Sequence, residues 1–96
     1  MDFLREENNG SATLKISGDL SVYEVAALRK ELVDCIDMYD GLALDLDEVT
    51  DFDVAGIQLL YSARRTAIEA GKVFSVQEAS GSLREALDRA GIRDFQ

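Results

Sequence analysis

From Leu42 to Gly71 the chain passes from an apolar run, Leu42-Ala43-Leu44-Asp45-Leu46, through an acidic segment ending at Asp53, into a stretch with helical apolar spacing. A short, nearly continuous apolar run reads as a buried central strand of a parallel sheet. The following helix, about Val54 to Ala70, closes at Gly71 as helices often do, and Lys72–Val76 supplies the next strand. A strand, a helix and a second strand in this order predict a right-handed parallel crossover. The segment 46–53 then lies as a loop at the carboxyl end of a central strand, where open α/β sheets tend to bind things.

The flanking segments extend the pattern. Asn8-Asn9-Gly10 is a hairpin signal, because Asn and Gly tolerate the positive φ that a tight turn needs. It separates a strand at Asp2–Glu7 from one at Ala12–Ser17, in which Ala12, Leu14 and Ile16 alternate with Thr13, Lys15 and Ser17. Ser21 and Glu24 have capping-box spacing, and a helix is expected from there to about Met38, with Val25, Leu28, Leu32, Cys35 and Ile36 on one face. Gly41 ends that unit. Ser82 and Glu85 repeat the capping-box spacing, predicting a short last helix with Leu83, Ala86, Leu87 and Ala90 along one side before Gly91. The expected fold class is α/β: a single mixed sheet, mostly parallel after an N-terminal antiparallel pair, with helices packed against it.

Composition narrows the function. With 96 residues, of which 47% are hydrophobic, the chain suits one compact domain over 1–96 and is too short for two. Its net charge of −9 repels phosphate backbones and anionic lipid heads, so nucleic acid and membrane surfaces are poor partners and a basic or neutral protein surface fits better. A single cysteine, Cys35, excludes an internal disulfide, and the absence of His leaves no multi-ligand zinc site. No basic leader segment or run of about 18 apolar residues is read in the sequence, so a cytoplasmic location is expected. No cofactor or metal is expected.

The segment Leu46-Asp47-Glu48-Val49-Thr50-Asp51-Phe52-Asp53-Val54-Ala55-Gly56-Ile57 resembles the phosphorylation loop of the STAS domain, the fold of bacterial anti-sigma factor antagonists. That loop usually reads Asp-Ser-Ser/Thr-Gly-Leu. Asp53, Gly56 and the apolar Ile57 match it, while Val54 and Ala55 stand at the two hydroxyl positions. The order of strands and helices is also the STAS order and covers essentially the whole chain. The resemblance implies a non-enzymatic regulatory module that binds an anti-sigma factor or related kinase. In such relatives Ser phosphorylation beside the loop Asp abolishes binding; here the acceptor is missing, although Thr50 or Ser62 could be modified elsewhere. The run Ala55-Gly56-Ile57-Gln58-Leu59-Leu60 is also similar to STAS proteins of chemotaxis-type signalling clusters. A third alternative is the STAS subunit of a lipid or solute transporter, partnered by an ABC ATPase.

The same residues also suggest a rival chemistry. Asp45 and Asp47 at a strand end look like the Asp-x-Asp motif of haloacid-dehalogenase-type phosphatases, which needs two carboxylates, Mg²⁺ and a downstream Lys. Lys72 is the only Lys after Asp47, and too little chain follows for the larger core of such enzymes. The acids 45, 47, 48, 51 and 53 lack the spacing of a calcium loop and read as an exposed acidic loop. Asp53 has a local role as N-cap of the second helix, accepting a backbone N–H from Ala55 or Gly56. Gly56, unfavourable inside a helix by about 1 kcal/mol, reflects either close packing on the sheet or approach by a partner. Cys35, on an apolar stripe, reads as a small buried hydrophobe.

The second helix carries two stripes. Gly56, Leu59, Leu60, Ala63, Ala67 and Ala70 form the expected sheet-facing one. Ile57, Tyr61 and Ile68, flanked by Arg64 and Arg65, form another. For Ile68, packing within the domain is expected; for Ile57 and Tyr61, packing and docking both stay open. The candidate partner-binding residues are Asp51, Ile57, Gln58 and Tyr61, in a docking region spanning 47–61. A homodimer is a further possibility.

Overall fold

A computed structural model describes residues 2–21, 24–79 and 81–92. The elements run β1 (Asp2–Asn8), β2 (Ser11–Leu20), α1 (Val25–Met38), β3 (Gly41–Phe52), α2 (Val54–Glu69), β4 (Val73–Glu78) and α3 (Gly81–Arg89). Sheet order is β1-β2-β3-β4, with β1 antiparallel to β2 and the other neighbours parallel. Asn9 and Gly10, at φ 52° and 85°, turn the chain between β1 and β2, and Asn8 pairs with Ser11 across the turn. Two positive φ values in a two-residue loop match the right-handed strand twist.

Strand alternation decides which face is covered. Ala12, Leu14 and Ile16 of β2, Leu42, Leu44 and Leu46 of β3, and Phe74 and Val76 of β4 are buried. Thr13, Lys15, Ala43, Asp45 and Ser75 point to the opposite face and are half-buried. Because β2, β3 and β4 follow one another in a single direction across the sheet, crossovers of one hand place α1 and α2 on the same side, where they pack together. Leu28, Leu32, Cys35 and Ile36 of α1 and Gly56, Leu60, Ala63 and Ala67 of α2 are buried there. Cys35 is fully buried, and desolvation pushes its thiol pKa up, away from the reactive thiolate.

The edge strand β1 is tied to α1 by side chains. The Arg5 guanidinium donates to Glu31 from Nε at 3.1 Å and Nη2 at 2.6 Å, and lies 5.8 Å from the centre of the Tyr39 ring. Tyr39 donates its hydroxyl to Glu7, which holds the phenol pKa above its usual value. At the amino ends of β3 and β4, backbone bonds join three turns: Asp40 N–H to Gly10 O at 2.8 Å and Val73 N–H to Asp40 O at 3.1 Å. Lys72 Nζ donates to the Ile36 carbonyl at 2.6 Å, at the carboxyl end of α1.

Several boundaries differ from the sequence expectation. The acidic segment is not a free loop: β3 continues to Phe52, because Glu48, Val49, Asp51 and Phe52 pair with Ser17, Gly18, Asp19 and Leu20 of β2. Register shifts interrupt that pairing between Lys15 and Ser17 and between Gly18 and Asp19, and interrupt β3–β4 after Leu44. Neither capping box forms as expected. Glu24 is itself the N-cap residue of α1 without a side-chain cap bond, while Ser21 stays buried at the end of β2 with its hydroxyl unpartnered. Ser82 lies inside α3, one residue past its start, so it is not placed as the cap. Val22 and Tyr23, within the expected start of the first helix, lie outside the described residues.

Candidate functional site

The end of β3 and the first turn of α2 are locked to the end of β2. Asp53 N–H donates to the Leu20 carbonyl at 3.2 Å, and Asp53 Oδ1 accepts the Gly56 N–H at 3.0 Å. The carboxylate thus satisfies the N–H of Gly56, among the four that a helix start leaves open. The neighbouring Asp51 turns its carboxylate onto the Phe52 N–H at 2.8 Å.

Gly56 is buried, and the space around it explains the residue. A Cβ there would lie 2.8 Å from Leu20 Cγ and closer still to the Leu20 carbonyl oxygen. The missing side chain lets the helix start lie on the end of β2, so intramolecular packing accounts for Gly56 without a partner.

The candidate docking residues separate into two groups. Ile57 is only 7% exposed, at the edge of the sheet-facing arc and about 40° of helix rotation from Tyr61. It belongs to the core and offers no surface. Val54 is 70% exposed, Tyr61 38% and Ile68 50%. With the exposed Gln58 and Arg65 they form one outward row at spacings of 4 and 3 along α2. Ile68 therefore departs from the expected intramolecular packing: it lies beyond the arc that buries Ala63 and Ala67 and faces solvent. The Tyr61 ring edge faces the turn at Gly91, where a Cβ would lie 3.8 Å from its Cε2. The sequence does carry a signal for this row: Val54 lies seven residues from Tyr61 and fourteen from Ile68, whole numbers of double helical turns.

Asp45 and Asp47 do not assemble the phosphatase constellation. Asp45 lies on the sheet face away from the helices and accepts the Asp47 N–H at 3.1 Å. It is level with Glu78, six residues past Lys72, so Lys72 lies about 20 Å away along the strand direction and is engaged with Ile36. Among the described residues no three Asp, Glu or Cys side chains converge as a metal site.

Between the helices, beside the helix start, lies a depression of about 490 Å³ lined by Val25, Ala26 and Arg29 of α1 and Ala55, Gln58, Leu59 and Ser62 of α2. It places Ala55 and Gln58 next to side chains from the first crossover helix.

This geometry can be set beside known proteins. Residues 3–96 match the family described as Mlab, STAS domain. The chain belongs to the STAS domain family. Compared by sequence, no curated protein matches it. The STAS chain superposes on the Bacillus cell fate determinant SpoIIAA in its phosphorylated form with a TM-score of 0.82 at 14% identity, covering 99% of this chain and 89% of that one. An anti-sigma factor antagonist from Mycobacterium paratuberculosis gives 0.82 at 20% identity over 94% of this chain and 77% of that one. A sulfate transporter family protein from Wolinella succinogenes gives 0.68 at 23% identity, covering 83% and 66%. At these identities the likeness establishes the STAS fold, which among the described residues is one four-stranded mixed sheet with three helices. Among the described residues no helix is long and apolar enough to cross a membrane.

Proposed function

We propose that this STAS domain is a non-enzymatic regulatory module. It docks a protein partner through the outward row at the start of α2, and it lacks phosphorylation control at the usual positions. The observation that carries this proposal is the combination of an intact Asp53 cap with Val54, 70% exposed, where relatives offer a hydroxyl. The scaffold that presents an acceptor is present and the acceptor is not. Asp51, Val54, Gln58 and Tyr61 are the surface residues of the site, and a tyrosine beside an arginine-bearing helix is the composition that dominates protein interfaces. Anti-sigma factor antagonists among the solved structures of this fold support an anti-sigma factor or kinase-type partner in the cytoplasm. The match to the Mlab STAS description and the likeness to the sulfate transporter family protein support a second partner class, a transport protein. Affinity purification followed by mass spectrometry separates the two: a kinase-fold protein supports the first and an ABC ATPase the second.

Tyr61→Ala is expected to weaken the complex with the recovered partner by about 2 kcal/mol, the scale of an anchoring aromatic, with the domain still folded. Titration calorimetry and a thermal melt on the same preparation test this. Unchanged affinity with a large loss of thermal stability would place the ring in the core and remove it from the interface.

The purified protein is expected to hydrolyse no small phosphomonoester with Mg²⁺ present, because the two aspartates have no catalytic partners within reach. Turnover above background that vanishes in both Asp45→Asn and Asp47→Asn would overturn the non-enzymatic assignment.

A further inference from the structure

The depression beside Val25 and Ala55 continues along the helix pair into a smaller one of about 80 Å³ that shares Arg29, Leu59 and Ser62 and ends at Ile36 and Thr66. Together they make a trough about 16 Å long, close to three helical turns. Its floor is apolar, with Leu32, Ile36 and Ala63 buried and Val33 still 45% exposed at the side.

Charge is what distinguishes this trough. The chain carries 19 acidic residues, yet among the described residues no Asp or Glu lines either depression. Of the acids of α1, Glu31 pairs with Arg5, while Asp34 and Asp37 lie outside the lining, Asp37 one turn beyond Val33. The trough does contain a cation. Arg29 is exposed and has no carboxylate within ion-pair distance among the described residues, whereas Arg5, Lys15, Arg65 and Arg89 each have one. An apolar channel with one unpaired guanidinium is complementary to an apolar segment bearing a carboxylate, and guanidinium groups match carboxylates in a bidentate geometry.

We infer that the trough seats an amphipathic helix of a protein partner, with apolar side chains on Leu59 and Val33 and a carboxylate on Arg29. The inference rests on the docking function proposed above and adds the chemistry of the docked element. Helix-in-groove recognition uses anchors spaced like those of one helix face, and three turns accommodate three such anchors. The prediction runs against the charge of the whole molecule, which as an acidic body attracts basic peptides.

The test is selection of 16-residue peptides from a randomised display library on the immobilised full chain. Selected peptides are expected to place Asp or Glu beside apolar residues at helical spacing. Their binding should fall about tenfold or more in Arg29→Glu and in Ser62→Glu, both at exposed positions, with melting midpoints unchanged. Replacing the peptide acid by Lys should restore binding to Arg29→Glu. Enrichment of basic peptides, or equal binding to Arg29→Glu, overturns the inference. If no acidic binder emerges while Tyr61→Ala still weakens the native complex, the trough assignment fails and the docking function stands.

Discussion

Gly56→Ala is expected to destabilise the domain by about 2 to 3 kcal/mol, lowering the melting midpoint by roughly 10 to 20 °C. The sign is the informative part. In an unconstrained helix the same change stabilises by about 1 kcal/mol, because alanine has the better helix propensity. Here the new methyl group meets the backbone carbonyl of Leu20, which cannot rotate away like a side-chain tip, and Leu20 Cγ at 2.8 Å. Leu20 is fully buried and its carbonyl also accepts the Asp53 N–H, so yielding would break the bond that joins β2 to the helix start. Overpacking therefore outweighs propensity. Thermal unfolding of the two proteins decides it, and a midpoint equal to or above that of the original chain would show that the helix does not rest on the end of β2.

Val54→Ser is expected to supply the missing acceptor and, once phosphorylated, to reduce partner affinity about tenfold or more. Residue 54 is the first of α2 and is 70% exposed, so a hydroxyl there is accessible. A phosphate would add about −1.5 to −2 charges beside Asp51 and Asp53. The positive end of the helix dipole offsets part of this, at most about 2 kcal/mol, while docking would bury the group near two carboxylates. The measurement is incubation of Val54→Ser with ATP and the recovered kinase partner, followed by mass spectrometry and a binding titration on one sample. Label at residue 54 with unchanged affinity would exclude this surface from docking. No label from a kinase shown to be active would mean that more than the acceptor has been lost.

The order of elements was readable because each signal is local. The Asn9-Gly10 turn, the apolar alternation of β2, the helical stripe of α1 and the cap from Asp53 to Gly56 depend on neighbours within a few residues. The features that escaped depend on distant partners. Nothing in Glu48-Val49-Thr50-Asp51 alternates like a strand, and only pairing with Ser17–Leu20 makes it one. The capping-box spacings at Ser21 and Ser82 were genuine patterns, but the end of β2 keeps Ser21 in the interior and α3 begins at Gly81. Ile57 and Tyr61 share a side of the helix wheel, and the width of the sheet contact decides that one is core and the other surface. The α1–α2 trough needed the packed helix pair, since its lining comes from segments about thirty residues apart in sequence.

The two ends of the sheet differ in how their strands are joined. At one end Gly10, Asp40 and Val73 are stitched in series by backbone bonds, and the pairing beside them runs in regular register. At the other end three register shifts fall within a few residues, where the ladder is locally broken and the strands carry extra bend and twist. The domain thus has a straight-laddered heel and a twisted toe, and α2 leaves from the toe, fixed to it through Asp53 and Leu20. The added twist at the toe sets the direction in which α2 leaves the sheet, and the bond from Asp53 to Leu20 holds it there.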